Sequence, residues 1–131
     1  MIIVDSTVWV DYLRGVSTAH TTWLEVELGR WRLGITDLIL CEVLQGVQDD
    51  ASFAKVSREL LKLEVFATGG VALALAAAAH YRRLRAAGYT VRRTIDCLIA
   101  TFCLEQGHSL LHNDRDFDPF EEVLGLSVIH P

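Results

Sequence analysis

Two short apolar runs that each lead into an acid constrain this chain more than any other feature. They are Ile2-Ile3-Val4-Asp5 near the start and Leu110-Leu111-His112-Asn113-Asp114 near the end. A run of three or four branched apolar residues is too short for a helix. It fits a strand buried on both faces, as in a parallel sheet. Residues 31–35, 63–66 and 126–129 read as further short strands. Between them lie helical patterns. Ser6 or Thr7 caps a helix with Val8, Trp9, Tyr12 and Leu13 as its apolar face and Gly15 as its stop. Residues 18–28 form a second helix. Thr36 caps a third that runs to about 47, and Asp49 or Asp50 caps a fourth that runs to about 63. Residues 71–87 form an alanine-rich fifth, and Thr94 caps a sixth that ends at Gly107. Asp118-Pro119 reads as a turn. Strands that alternate with helices predict an α/β fold: a three-layer α/β/α sandwich around a short, mainly parallel sheet, in a single domain spanning 1–131.

The chain has 131 residues, 51% of them hydrophobic, enough for one sizeable core. The apolar run at 71–79 is too short to span a bilayer and gives way to His80, Arg82 and Arg83. No basic segment precedes the first apolar residues, so a secretory leader is not expected. Cys41, Cys97 and Cys103 are odd in number and form no C-x-x-C, which argues against a disulfide framework or a thiolate zinc site and for the cytoplasm. The mean hydropathy of +0.29 fits either a well-packed core or an apolar surface that meets a partner.

A net charge of −5 argues at first against a nucleic-acid ligand. Ten of the twelve basic residues are arginines, however, and five of them fall at 82, 83, 85, 92 and 93. Arginine is the better fork for phosphate. A site for a divalent cation also needs surplus carboxylate.

The carboxylates themselves carry the chemistry. Asp5 and Asp114 follow strands, where α/β sheets place their functional crevice, although either residue could equally be a cap or a turn former. Glu42 lies within Leu38-Ile39-Leu40-Cys41-Glu42-Val43-Leu44 and shares a helical face with Leu38, Ile39 and Gly46, which points it at the core. Asp96 heads a stripe continued by Ile99, Ala100 and Cys103, and it also suits a helix N-terminus. Inward carboxylates require a neutralising partner. Arg93 and Arg115 are one answer; a hard divalent ion, Mg²⁺ or Mn²⁺, is the other. Asp116 can point the same way as Asp114, with Phe117 and Phe120 anchoring the segment. The five histidines show no zinc-binding spacing and read as ordinary.

Four segments resemble the PIN-domain nucleases, specifically the VapC toxins of type II toxin–antitoxin pairs. They are Met1-Ile2-Ile3-Val4-Asp5-Ser6-Thr7, Thr36 through Glu42 to Gly46, Thr94-Ile95-Asp96-Cys97-Leu98-Ile99-Ala100, and Leu110 through Asp114 and Asp116 to Phe117. The resemblance implies a Mg²⁺- or Mn²⁺-dependent endoribonuclease. Asp5 and Asp96 match the acids that hold metal most directly, Glu42 and Asp114 the other two pocket acids, and Asp116 a frequent fifth. Ser6 or Thr7 matches a hydroxyl supporting the first acid. The resemblance further implies RNA as substrate, a VapB-type antitoxin whose C-terminal segment seats in an apolar groove, and homodimers. The Val8-Trp9-Tyr12-Leu13 face and the Trp23-Leu24 region are candidates for that groove. Two other classes compete. An aspartyl-phosphate enzyme wants a lysine beside its acids, and Lys55 and Lys62 lie far from all four segments. A non-catalytic module would use the acids to hold a basic peptide.

Overall fold

The structure is a computed structural model that describes residues 1–30 and 32–131. In chain order it comprises β1 (Ile2–Val4), α1 (Ser6–Leu13), α2 (Ala19–Glu27), β2 (Leu33–Thr36), α3 (Asp37–Gln45), α4 (Asp50–Leu60), β3 (Glu64–Phe66), α5 (Val71–Ala86), α6 (Thr94–Gln106), β4 (Ser109–Leu111), a 3-10 turn (Arg115–Phe117) and α7 (Asp118–Leu124). The expected start of the second strand, Trp31, lies outside the described residues.

The four strands form one sheet in the order β3-β2-β1-β4, and every pairing is parallel. That order fixes the layers. The crossovers β1→β2 and β2→β3 step the same way, whereas β3→β4 returns past β1. Right-handed crossovers in opposite directions place their helices on opposite faces. Hence α1–α4 cover one face and α5–α6 the other, as a three-layer sandwich requires.

Ile3, Val4, Ile35, Leu110 and Leu111 are fully buried, which explains why these strands lack polar alternation. Gly34 lies at the sheet's tightest point. A Cβ there would stand 2.8 Å from both Met1 Sδ and Phe66 Cε2.

Several expectations are corrected. The cap of α1 is Asp5, whose side chain accepts from the Thr7 amide, so Ser6 and Thr7 are already helical. The cap position of α6 is held by Arg93, which has no acceptor to offer, and Thr94 is the first helical residue. Asp118-Pro119 opens α7, because a proline in a first turn gives up no needed donor. The fifth strand reduces to one parallel bridge, Leu110 to Val128. Only Leu110 turns its amide and carbonyl to that edge, meeting Ser127 and Ile129, while β4's other side pairs with β1. Finally, Val8 and Trp9 are buried in the core, so of the α1 face proposed for a partner only Leu13 is exposed.

Candidate metal centre

In an open parallel sheet the ligand crevice lies beyond the carboxyl ends of the strands, where the strand order reverses. Here that point lies between β1 and β4. Asp5 follows β1 directly, and Asp114 lies three residues past β4. Asp96 joins them from the first turn of α6, and Glu42 from α3.

Asp5 is 2% exposed. Its Oδ2 accepts from the Thr7 amide at 3.1 Å and from the Thr7 hydroxyl at 2.7 Å. Its Oδ1 is buried without a partner among the described residues. Burial pushes the carboxyl up to about 6; the Thr7 hydrogen bonds oppose that rise and the Glu42 charge adds to it. Asp96 is 3% exposed, and its Oδ2 is likewise buried and unpartnered. Its carboxyl rises to about 7, again through burial first; Arg93 works against the rise, and the charges of Asp5, Asp114 and Glu42 reinforce it.

Asp114 caps the 3-10 turn, its Oδ1 accepting from the Asp116 amide at 2.9 Å. Asp96, Asp114 and Asp116 each offer one carboxylate oxygen to a group whose members lie within 4.8 Å of one another. An all-oxygen donor set with two orphaned buried carboxylate oxygens beside it fits a hard divalent cation.

Glu42 stands slightly apart from this group. Its Oε1 accepts from the Ser6 hydroxyl at 3.2 Å, and its Oε2 pairs with Arg93 at 2.8 Å. The inward carboxylate expected to need a cation thus has an arginine as its direct partner. The carboxylates, Asp96 first, hold Arg93 firmly protonated. Arg92 approaches Asp116 at 3.9 Å. Arg115 lines a polar cleft of about 910 Å³ that runs outward from Asp114 and Asp116 past His20, His112 and His130.

Of two further residues at the site, sequence reasoning named Thr7 only as an alternative to Ser6 and did not assign His112. Thr7, one of two candidates for a supporting hydroxyl, both donates to Asp5 and accepts from the Asn113 amide at 3.1 Å, tying the first acid to the last loop. His112, read as ordinary, is 7% exposed, and its Nδ1 accepts from the Asp114 amide. The only signal for it was its place two residues before an acid at a strand end.

The raised carboxyls set the stability of the metal-free chain. Between their unfolded value of 3.8 and their folded values, the folded chain holds protons that the unfolded chain has lost. Stability therefore falls as pH rises through that window. His108 and His112, whose values burial lowers, pull the other way below about 6.5. From about pH 6.5 to 8 the two histidines still offset part of this loss, because their unfolded forms are half protonated at 6.5, so the acid's contribution is read against Asp96→Asn: the wild type is expected to lose about 1 kcal/mol relative to that variant. Thermal melts of both in EDTA across that range check this, and a stability gap that does not grow with pH would contradict it.

The PIN domain family matches residues 2–123. A VapC ribonuclease of Mycobacterium bovis is 31% identical over 130 residues, covering 98% of this chain and 97% of its own length. Ribonuclease VapC11 of Mycobacterium tuberculosis matches to the same extent. Among solved structures, VapBC2 from Rickettsia felis bound to a promoter DNA fragment superposes with a TM-score of 0.77 at 17% identity, covering 98% of each chain. VapBC-1 from nontypeable Haemophilus influenzae gives 0.74 at 16% identity, covering 98% of this chain and 97% of that one.

Proposed function

The chain belongs to the PIN-domain family and within it to the VapC ribonucleases, and from that premise we propose that it is the toxin of a type II toxin–antitoxin pair, a metal-dependent endoribonuclease. The observation that carries the reading is the crevice itself. Asp96, Asp114 and Asp116 approach one another there, the charges of Asp5 and Glu42 act on Asp96 from two further segments, and one oxygen each of Asp5 and Asp96 is buried without a partner among the described residues.

Asp96, Asp114 and Asp116 would hold the divalent ion, Mg²⁺ or Mn²⁺, with Asp5 behind them offering its free Oδ1. Such an ion supplies a water of lowered pKa and screens the charge of a phosphodiester. The chain's own side chains supply the rest. Thr7 orients Asp5 and pins the Asn113 amide. Glu42 holds Arg93 at the rim with its side chain half exposed, as a clamp for a backbone phosphate needs. Arg92 and Arg115 extend that positive edge along the cleft, offsetting the acidity of the chain as a whole.

A VapB-type antitoxin is the proposed inhibitor. A groove of about 450 Å³ between α1, α3 and α4, lined by Val10, Leu13, Val43, Val47 and Val56, suits the apolar side of its C-terminal segment. Val71 and Leu75, 77% and 68% exposed and one turn apart on α5, leave a strip for a second copy in a homodimer. No helix among the described residues is long and apolar enough to cross a membrane, and the cytoplasm, where RNA and antitoxin meet, is the proposed location.

The deciding experiment incubates the purified chain with structured RNA in Mn²⁺, in Mg²⁺ and in excess EDTA. Discrete cleavage with either metal and none in EDTA is expected. Cleavage that persists in EDTA, or that fails with both metals, overturns the reading.

A further inference from the structure

His112 sits at the end of β4 with its ring against Phe117, centroids 4.9 Å apart. Its Nδ1 lies 3.1 Å from the Asp114 amide nitrogen. An amide N–H can only donate, so Nδ1 is the acceptor and the neutral ring carries its proton on Nε2. That Nε2 is buried and has no partner among the described residues. Leaving a buried donor unpaired costs about 1–3 kcal/mol. For packing alone a phenyl ring would fill the same space against Phe117 without that cost. What the imidazole supplies and a phenyl does not is an acceptor for the Asp114 amide.

That amide belongs to a turn held at three successive points. The Asn113 amide donates to Thr7, the Asp114 amide to His112, and the Asp116 amide to Asp114 Oδ1. The turn carries two of the three carboxylates that approach one another in the crevice. Without His112 its middle point is free, and the backbone bearing Asp114 can rotate away from Asp96.

We propose that His112 is a positioning residue, whose Nδ1 fixes the Asp114 amide and thereby aims the carboxylates of Asp114 and Asp116 at Asp96. The inference rests on the metal-dependent reading of that cluster. It separates cleanly from a packing role, because two substitutions divide the functions of the ring. His112→Phe keeps the stacking and removes the acceptor. His112→Asn keeps an acceptor at the position of Nδ1 and removes the stacking.

Three readouts decide it: hydrogen exchange of the Asp114 amide in the metal-free protein, Mn²⁺ affinity by calorimetry, and kcat against KM on RNA. The phenylalanine variant is expected to melt near the wild-type temperature, to exchange the Asp114 amide faster, and to bind Mn²⁺ about 10–100-fold more weakly, as loss of a ligand-orienting contact does. Its kcat falls while KM for RNA changes little. The asparagine variant is expected to melt lower yet keep Asp114 protection and Mn²⁺ affinity within about threefold, well short of that range. Wild-type Mn²⁺ affinity and amide protection in the phenylalanine variant would overturn the proposal. So would an asparagine variant that loses both as deeply as phenylalanine does, or rapid Asp114 exchange in the wild type. Should the phenylalanine variant fail to fold, the asparagine variant and the wild-type amide still decide. A wild-type chain with a protected Asp114 amide that neither binds Mn²⁺ nor cuts RNA overturns the nuclease reading instead.

Discussion

Asp96→Asn is expected to lower kcat/KM for RNA by about 1000-fold while the melting temperature of the metal-free protein at pH 8 rises. The two effects share one cause. Asp96 is a carboxylate pushed into a buried place, 3% exposed, with one oxygen unpartnered. The charge that disfavours the metal-free fold is the charge that would bind a cation. Asparagine keeps the shape, removes the charge, and leaves Asp114 and Asp116 as an incomplete set. Bound metal contributes several kcal/mol to phosphoryl chemistry, and about 4 kcal/mol is about three powers of ten in rate. Initial rates on RNA in saturating Mn²⁺, beside thermal melts in EDTA, test both halves. More than a tenth of wild-type activity, or a lower melting temperature, would contradict the assignment of Asp96.

Phe117→Ala is expected to cost about 3–5 kcal/mol, the range for deleting a buried aromatic ring. For a chain of this size that is roughly 10–20 °C in melting temperature. Phe117 is fully buried, packs against Phe120 and His112, and ends the 3-10 turn that carries Asp116. Its loss opens a cavity directly beneath the acidic turn, so Mn²⁺ affinity is expected to fall along with stability. Phe53→Ala is the control. That ring is 46% exposed on α4, and its removal should leave both quantities nearly unchanged. Chemical denaturation of the two variants distinguishes them, and equal losses would show that burial does not govern either effect.

Much of this arrangement was legible in the sequence, for physical reasons that can be named. Ile2–Val4 and Ser109–Leu111 were readable because strands buried on both faces leave unbroken apolar runs, and the acids after them follow from where parallel sheets place their crevices. Glu42 was legible as an anomaly, since a carboxylate on an apolar stripe needs a partner. Its partner was legible only as a choice between Arg93 or Arg115 and a hard divalent ion. Arg93 lies fifty-one residues away, and only the α3–α6 packing brings it to 2.8 Å. The caps of α1 and α6 were each placed too late in the chain, at Ser6 or Thr7 and at Thr94. Asp5 outcompeted Ser6 and Thr7 because its carboxylate reaches the Thr7 amide, and in the same conformation it faces the crevice. Residues 126–129 are as apolar as a strand, but pairing also needs a free edge, and β4 turns only Leu110 outward. His112 reads as ordinary in the sequence because its place two residues before Asp114 does not reveal a tautomer set by one backbone amide.

The place of β1 in the sheet has a consequence for timing. It precedes every other strand in chain order, yet it lies between β2 and β4 and pairs with residues 109–111. Chains emerge from the ribosome N-terminus first. Asp5 therefore waits, with one side of its strand unpaired, until residues 109–111 have been made. Asp114 and Asp116 follow directly after them. A nascent chain halted before Leu110 carries Asp5, Glu42 and Asp96 but lacks β4's pairing residues, Asp114 and Asp116. For a proposed toxin that acts on RNA, the strand order delays the complete acidic set until after β4 has been made.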